Sequence, residues 1–274
     1  MRHFLILLLM SLLVASCHKE VVTYPVQEIT LNVNGPSLDV NVYTRATAIT
    51  QVPSSLYWSA TTGTLGSSES SKWTSSSKTV SNGVIATGKY QTATHTSYNY
   101  YLANTPITFV ASGSTIVADN ATDVITGKIT SNTASPSVAM NHVFARTGTL
   151  SCTSSKGYTL SNLTYKIKSS GSATGTKGTY NIAKNTWSST TALSEQTFNS
   201  TSDLYLIPGT YIFSVSGTMT KGDYSVSFSN SATITLAAGK INNIAATLDD
   251  DTAQSITIGV TLTAWGTTTL NPTL

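Results

Sequence analysis

Apolar and polar residues alternate along much of this chain. Ile29, Leu31 and Val33 are separated by Thr30 and Asn32, and after the Asn34-Gly35-Pro36 break Leu38, Val40 and Val42 repeat the pattern. A period of two is the mark of a strand with one buried face. Between Ser54 and Ser81 the pattern is looser, with Tyr57, Trp58 and Trp73 set among Ser and Thr, and Gly83–Tyr101 ends in the aromatic cluster Tyr98, Tyr100 and Tyr101. The second half is cleaner. Leu160–Ile167 reads as a strand. Tyr211, Phe213 and Val215 alternate with Ile212, Ser214 and Ser216. Tyr224, Val226 and Phe228 follow a Lys221-Gly222-Asp223 turn, and Ile244, Ala246 and Leu248 follow Ala238-Gly239-Lys240. The clearest segment is Ile256, Ile258, Val260, Leu262 and Ala264, interleaved with Thr and Gly. No segment shows a 3.6-residue period. Short strands punctuated by turn residues predict an all-β sandwich architecture. The polar stretch 132–137, with Pro136, is the expected boundary between two units, 46–137 and 138–274.

The N-terminus follows different rules. Met1-Arg2-His3 precedes an apolar run, Phe4–Val14, too short to span a bilayer and suited to a signal peptide. It closes on Leu13-Val14-Ala15-Ser16-Cys17, which resembles a bacterial lipobox. Residues 1–16 are then a lipoprotein signal, and Cys17 carries the lipid. Several acyl chains on one residue give the stable anchoring that a single chain does not. Cys152 is left with no disulfide partner and reads as a small buried hydrophobe.

Composition narrows the chemistry. The chain holds 39 Ser and 48 Thr in 274 residues but only four Glu and three Arg, which argues against helical bundles. A net charge of +3 with scattered Lys lacks the clustered footprint of a nucleic-acid binder. The histidines show no metal-ligand spacing, no nucleophile motif is present, and acidic residues are too sparse to mark a dyad, so no catalytic residue, metal or cofactor is expected. Asp249-Asp250-Asp251 reads as a solvated turn. Tyr57, Trp58, Trp73 and Tyr98 offer either a stacking platform for sugars or anchors for a sandwich core, and the core is the commoner use.

Several segments in order resemble the fimbrillins of Bacteroidetes, the subunits of type V pili. They are the lipobox, Tyr43-Thr44-Arg45-Ala46-Thr47, Asn141-His142-Val143-Phe144-Ala145-Arg146, Lys177-Gly178-Thr179-Tyr180 leading to Trp187, Leu204-Tyr205-Leu206-Ile207-Pro208, Ala238-Gly239-Lys240, and the closing strand before Trp265. The resemblance implies two tandem transthyretin-like Greek-key β-sandwich domains, exposed at the cell surface as an outer-membrane lipoprotein and carried in the fimbrium. It also implies an Arg-specific protease that cuts between Arg45 and Ala46, discarding the lipidated segment 17–45 with its strand pair. A strand from another pilus subunit then fills the groove, and Ile256, Ile258, Val260, Leu262 and Ala264 form the candidate donor. Partners are other pilus subunits and a host or bacterial surface ligand. The alternative is a cell-surface glycan-binding lipoprotein that uses the aromatic cluster.

Overall fold

A computed structural model of the protein describes residues 27–35, 52–62, 72–74, 77–91, 97–110, 112–198, 204–249 and 256–264. These residues form twenty strands and no helix. In chain order they are β1 (Gln27–Asn34), β2 (Ser55–Thr62), β3 (Lys72–Thr74), β4 (Lys78–Thr79), β5 (Val84–Gln91), β6 (Tyr98–Ala103), β7 (Ile107–Thr108), β8 (Thr115–Asp119), β9 (Ile125–Ser131), β10 (Ser137–His142), β11 (Ala145–Ser154), β12 (Thr159–Ser169), β13 (Lys177–Asn181), β14 (Thr186–Thr191), β15 (Gln196–Phe198), β16 (Tyr205–Leu206), β17 (Gly209–Lys221), β18 (Tyr224–Leu236), β19 (Lys240–Leu248) and β20 (Ile256–Ala264). The all-β expectation holds.

The first sheet runs β3-β2-β6-β9-β10-β1-β5, with β4 paired to β2. Its apolar face gathers Ile29, Leu31, Val33, Leu56, Trp58, Ile85, Tyr100, Leu102, Val138 and Met140 into one core. That core draws on β2, β6, β9, β10, β1 and β5 of a single sheet. Two four-stranded sheets, β16-β11-β19-β20 and β15-β12-β17-β18, enclose a second core that includes Leu150, Ile167, Tyr211, Phe213, Val215, Phe228, Ile244 and Leu248. The paired 13-residue strands β17 and β18 alternate as the sequence predicts. Tyr211, Phe213 and Val215 point inward, and Ser225, Ser227, Ser229 and Ser231 point to solvent.

A third core joins the halves. The sheet β14-β13-β8-β7 pairs β8, from before residue 137, with β13, from after it. Beneath it lie Tyr101, Ala103, Ile116 and Ala118 together with Phe144, Tyr180, Ile182, Tyr205 and Ile207. Strand β6 is therefore buried on both faces, Tyr98, Tyr100 and Leu102 toward one core and Tyr101 and Ala103 toward the other. The change of sheet comes after β10, at Val143-Phe144. There a buried pair, His142 Nδ1 and Asp123 Oδ1 at 2.9 Å, closes the end of the strand.

Candidate functional site

The most consequential placement is that of β1. It is an interior strand, antiparallel to β5 on one side and parallel to β10 on the other. Its period-two pattern explains why. Ile29, Leu31 and Val33 all turn into the first core and are at most 4% exposed, while Thr30 and Asn32 face outward. Burying such side chains is worth about 1.5–3 kcal/mol each.

Hydrogen bonds fix its register from both sides. On the β10 side Thr30 N–H donates to the Ala134 carbonyl at 2.8 Å and Asn32 N–H to the Pro136 carbonyl at 2.9 Å. The Asn32 amide also donates to the Ser135 carbonyl, and the Thr30 and Ser135 hydroxyls meet at 2.9 Å. On the β5 side Leu31 stands opposite Ile85, and a bulge separates the pairs Glu28–Tyr90 and Thr30–Ala86. The extra residues belong to β5. Gly88 takes a positive φ of 66° there, a conformation that suits glycine, and its N–H donates to the Glu28 carboxylate. The Thr87 hydroxyl fills the bulge by donating to the Ile29 carbonyl at 2.7 Å. The stretch 132–137, expected as the boundary between two units, supplies carbonyls that receive a strand.

Removing β1 would leave Ile85, Val138 and Met140 facing a trough, with unpaired backbone groups on β5 and on 134–139. Such a trough is a template for an incoming strand. Cys17, Arg45 and Ala46 lie outside the described residues, as does the expected second strand at 38–42.

The donor candidate is placed at a sheet edge. β20 pairs with β19 over nine residues, from Lys240–Ala264 to Leu248–Ile256, and is last in its sheet. Ile258 and Val260 are half-buried against the second core, and Leu262 is half exposed. Ile256 and Ala264 belong to the same strand. The sequence carries one further signal. Residues 29–33 read Ile-Thr-Leu-Asn-Val and residues 256–260 read Ile-Thr-Ile-Gly-Val, so Ile256, Ile258 and Val260 carry the apolar pattern of Ile29, Leu31 and Val33.

The aromatic platform for sugars is not assembled as an outer surface. Trp58 and Tyr98 are buried, Tyr98 with its ring 5.8 Å from that of Tyr100, and Tyr57 is half-buried on the opposite face of β2 from Trp58. The reason is the parity of a strand: Leu56, Trp58 and Ala60 share the core face. Trp73 lies on β3, which pairs with β2. Cys152 is half-buried in β11, and burial pushes its thiol up to about 11, the opposite of an activated nucleophile. Among the described residues no three His, Cys, Asp or Glu side chains converge as a metal ion would require.

No protein-family model matches the sequence, and no curated protein matches it. Solved structures do. A candidate cell adhesion protein from Parabacteroides distasonis ATCC 8503 superposes with a TM-score of 0.57 at 9% identity, over 89% of this chain and 99% of that one. A second candidate cell adhesion protein from the same organism gives 0.50 at 8% identity, over 88% and 100%. These two likenesses show that the chain shares their fold, in keeping with the fimbrillin resemblance. A looser match, at a TM-score of 0.43 and 10% identity over 86% and 99%, is a fimbrial assembly protein from that organism.

Proposed function

We propose that the protein is a fimbrillin-like pilus subunit or fimbrial adhesin. In this reading it is exported as an outer-membrane lipoprotein through Cys17 and assembles at the cell surface by protease-triggered strand exchange. It consists of two tandem transthyretin-like Greek-key sandwich units, the first completed by β1. An Arg-specific protease cuts between Arg45 and Ala46, which frees β1 from the body to which its chain was joined. The β20 strand of another subunit then enters the trough. The two solved structures that share this fold are those of candidate cell adhesion proteins. A non-enzymatic role agrees with the scarcity of ionisable side chains.

The observation that carries the proposal is the interior position of β1. A strand ahead of the only Arg between residues 3 and 145 is built into the interior of a sheet, between β10 and the edge strand β5. The natural place for such a strand to be optional is a fold meant to accept a replacement. Two features of the sequence serve this design: the recurrence of its apolar pattern in β20, and a hydroxyl-rich exterior that stays soluble with little charge.

The test is incubation of concentrated protein with an Arg-specific protease. The expected result is a shortened chain that forms a ladder of SDS-resistant oligomers, with Arg45→Ala remaining uncut and monomeric. A concentrated, cleanly cut chain that stays monomeric overturns the proposal.

A further inference from the structure

We infer that one end of the second sandwich carries a binding site for a neutral sugar ring, built on Tyr158 and Tyr224 and framed by Lys156, Lys221 and Asp223. The inference rests on the adhesin half of the proposed function, and on neither the cut nor the strand exchange.

The strand registers place the site. β11 and β19 start beside the third-core residues Phe144 and Ile241 and run side by side to Ser154 and Leu248. At that same end β12 begins and β17 finishes, with Thr159 opposite Thr220, and β18 starts with Tyr224 opposite Lys221. The β11–β12 and β17–β18 turns therefore meet at the end of the sandwich away from the third core. Turns gathered at one end of a sandwich are a usual place for binding residues. These two, Ser154-Ser155-Lys156-Gly157-Tyr158 and Lys221-Gly222-Asp223-Tyr224, combine Tyr with Ser, Gly and charged residues. That mixture gives a rigid stacking surface with adaptable hydrogen bonding around it.

The rings are held in place and left uncovered. Tyr158 and Tyr224 meet edge-on, with centroids 6.0 Å apart and planes at 60°. Tyr158 backs onto the second core. Tyr224 is 46% exposed, the one aromatic among the large exposed apolar side chains of the described residues. Lys221 ties the turns together. Its amine donates to the Lys156 carbonyl at 2.9 Å and lies 5.2 Å from the centre of the Tyr158 ring. The Ser154 hydroxyl accepts from the N–H groups of Lys156 and Tyr158. Room is left above both turns, since a Cβ added at Gly157 or Gly222 would meet nothing within 4 Å. A platform ordered before its ligand arrives loses little entropy on binding.

The chemistry selects the ligand. The face of a tyrosine ring is negative and the C–H bonds on one face of a sugar ring are slightly positive, so the two stack. The sugar hydroxyls then need a few donors and acceptors at the rim. The Lys156 and Lys221 amines donate, and the Asp223 carboxylate accepts. Two rings offer far less than the ~800 Å² that a protein partner buries on each side, and they suit a single sugar. Lys156 and Lys221 stand against Asp223 and Asp249, which follows Leu248 at the same end, so these charges balance and do not draw an acidic ligand.

The test applies the purified, uncut chain to immobilised oligosaccharides. One series ends in a neutral hexose or N-acetylhexosamine, and a matched series ends in a sialic or uronic acid. The expected result is preferential binding of the neutral series. Tyr224→Ala should weaken it at least tenfold with an unchanged melting temperature, Tyr224→Phe should retain it, and Val117→Ala, an exposed apolar position on β8, should leave it unaltered. Absence of sugar binding, equal or stronger binding of the acidic series, or less than tenfold weakening by Tyr224→Ala overturns the inference. Assembly after cutting is read separately on gels. Loss of sugar binding therefore leaves strand exchange standing, and failed assembly leaves the sugar site standing.

Discussion

Leu31 shows how much one side chain decides. It is fully buried, stands opposite Ile85, and sits at the centre of the β1 contacts. Leu31→Ala in the intact chain should cost about 2–5 kcal/mol in a denaturant titration, whereas Thr30→Ala, on the outer face, should cost well under half as much. Equal losses would mean that β1 is not held by its apolar face. Cys152 illustrates the opposite case, a reactive type made inert. Its thiol is raised from 9.0 to about 11 by burial, so the thiolate is scarce at neutral pH. Loss of thiolate outweighs the gain in nucleophilicity, and alkylation in the folded protein should run about tenfold slower than in the unfolded chain. Rates that match would place the thiol in solvent. Residue parity was legible from the alternation for Ile29 to Val33 and for Tyr211 to Val215. It was not legible for Trp58 and Tyr98, because an aromatic among Ser and Thr has the same pattern whether it faces a sugar or a core. The pairing of His142 with Asp123 was equally hidden, since nineteen residues and a sheet turn separate them.

Among elements, strands with a solvent face were read well and strands without one were not. β17 to β19 follow their alternation closely. β6, Tyr-Asn-Tyr-Tyr-Leu-Ala, is buried on both sides and so carries no period, and β8 finds its partner in β13, far along the chain. The polar stretch around Pro136 reads as a boundary between units because a residue that donates no N–H suits a break. Its carbonyl still accepts, and that is what β1 uses. The two strands proposed to exchange should differ in firmness. β1 is paired on two edges, β20 on one. In native-state hydrogen exchange the amides of β20 should lose protection at lower denaturant than those of β17 and β18. Simultaneous loss would mean that β20 leaves only when the whole core opens, and would argue against its service as a donor.

At the scale of the molecule, three cores are linked through shared strands, and the first core is completed by the segment that precedes the proposed cut. Arg45 is conspicuous in an Arg-poor sequence, and the interior place of β1 is the reason the proposed cut there would matter. The fold class was legible from periodicity, and the place of β1 inside a sheet instead of at its edge only from the structure. The central claim is that β20 of one copy takes the place of β1 in another, with Ile258 at the position of Leu31. Its most direct test is a disulfide trap in a Cys152→Ala background. One population carries Ile85→Cys, facing the Leu31 position, and a second carries Ile258→Cys. Opposed residues in an antiparallel pair bring their Cβ atoms within about 4.5–5.5 Å, close enough for a disulfide. Mixed and cut after Arg45, the two populations should form a cross-linked dimer on a non-reducing gel, and uncut they should not. Complete cutting with no mixed disulfide, or the same disulfide without cutting, would contradict the account.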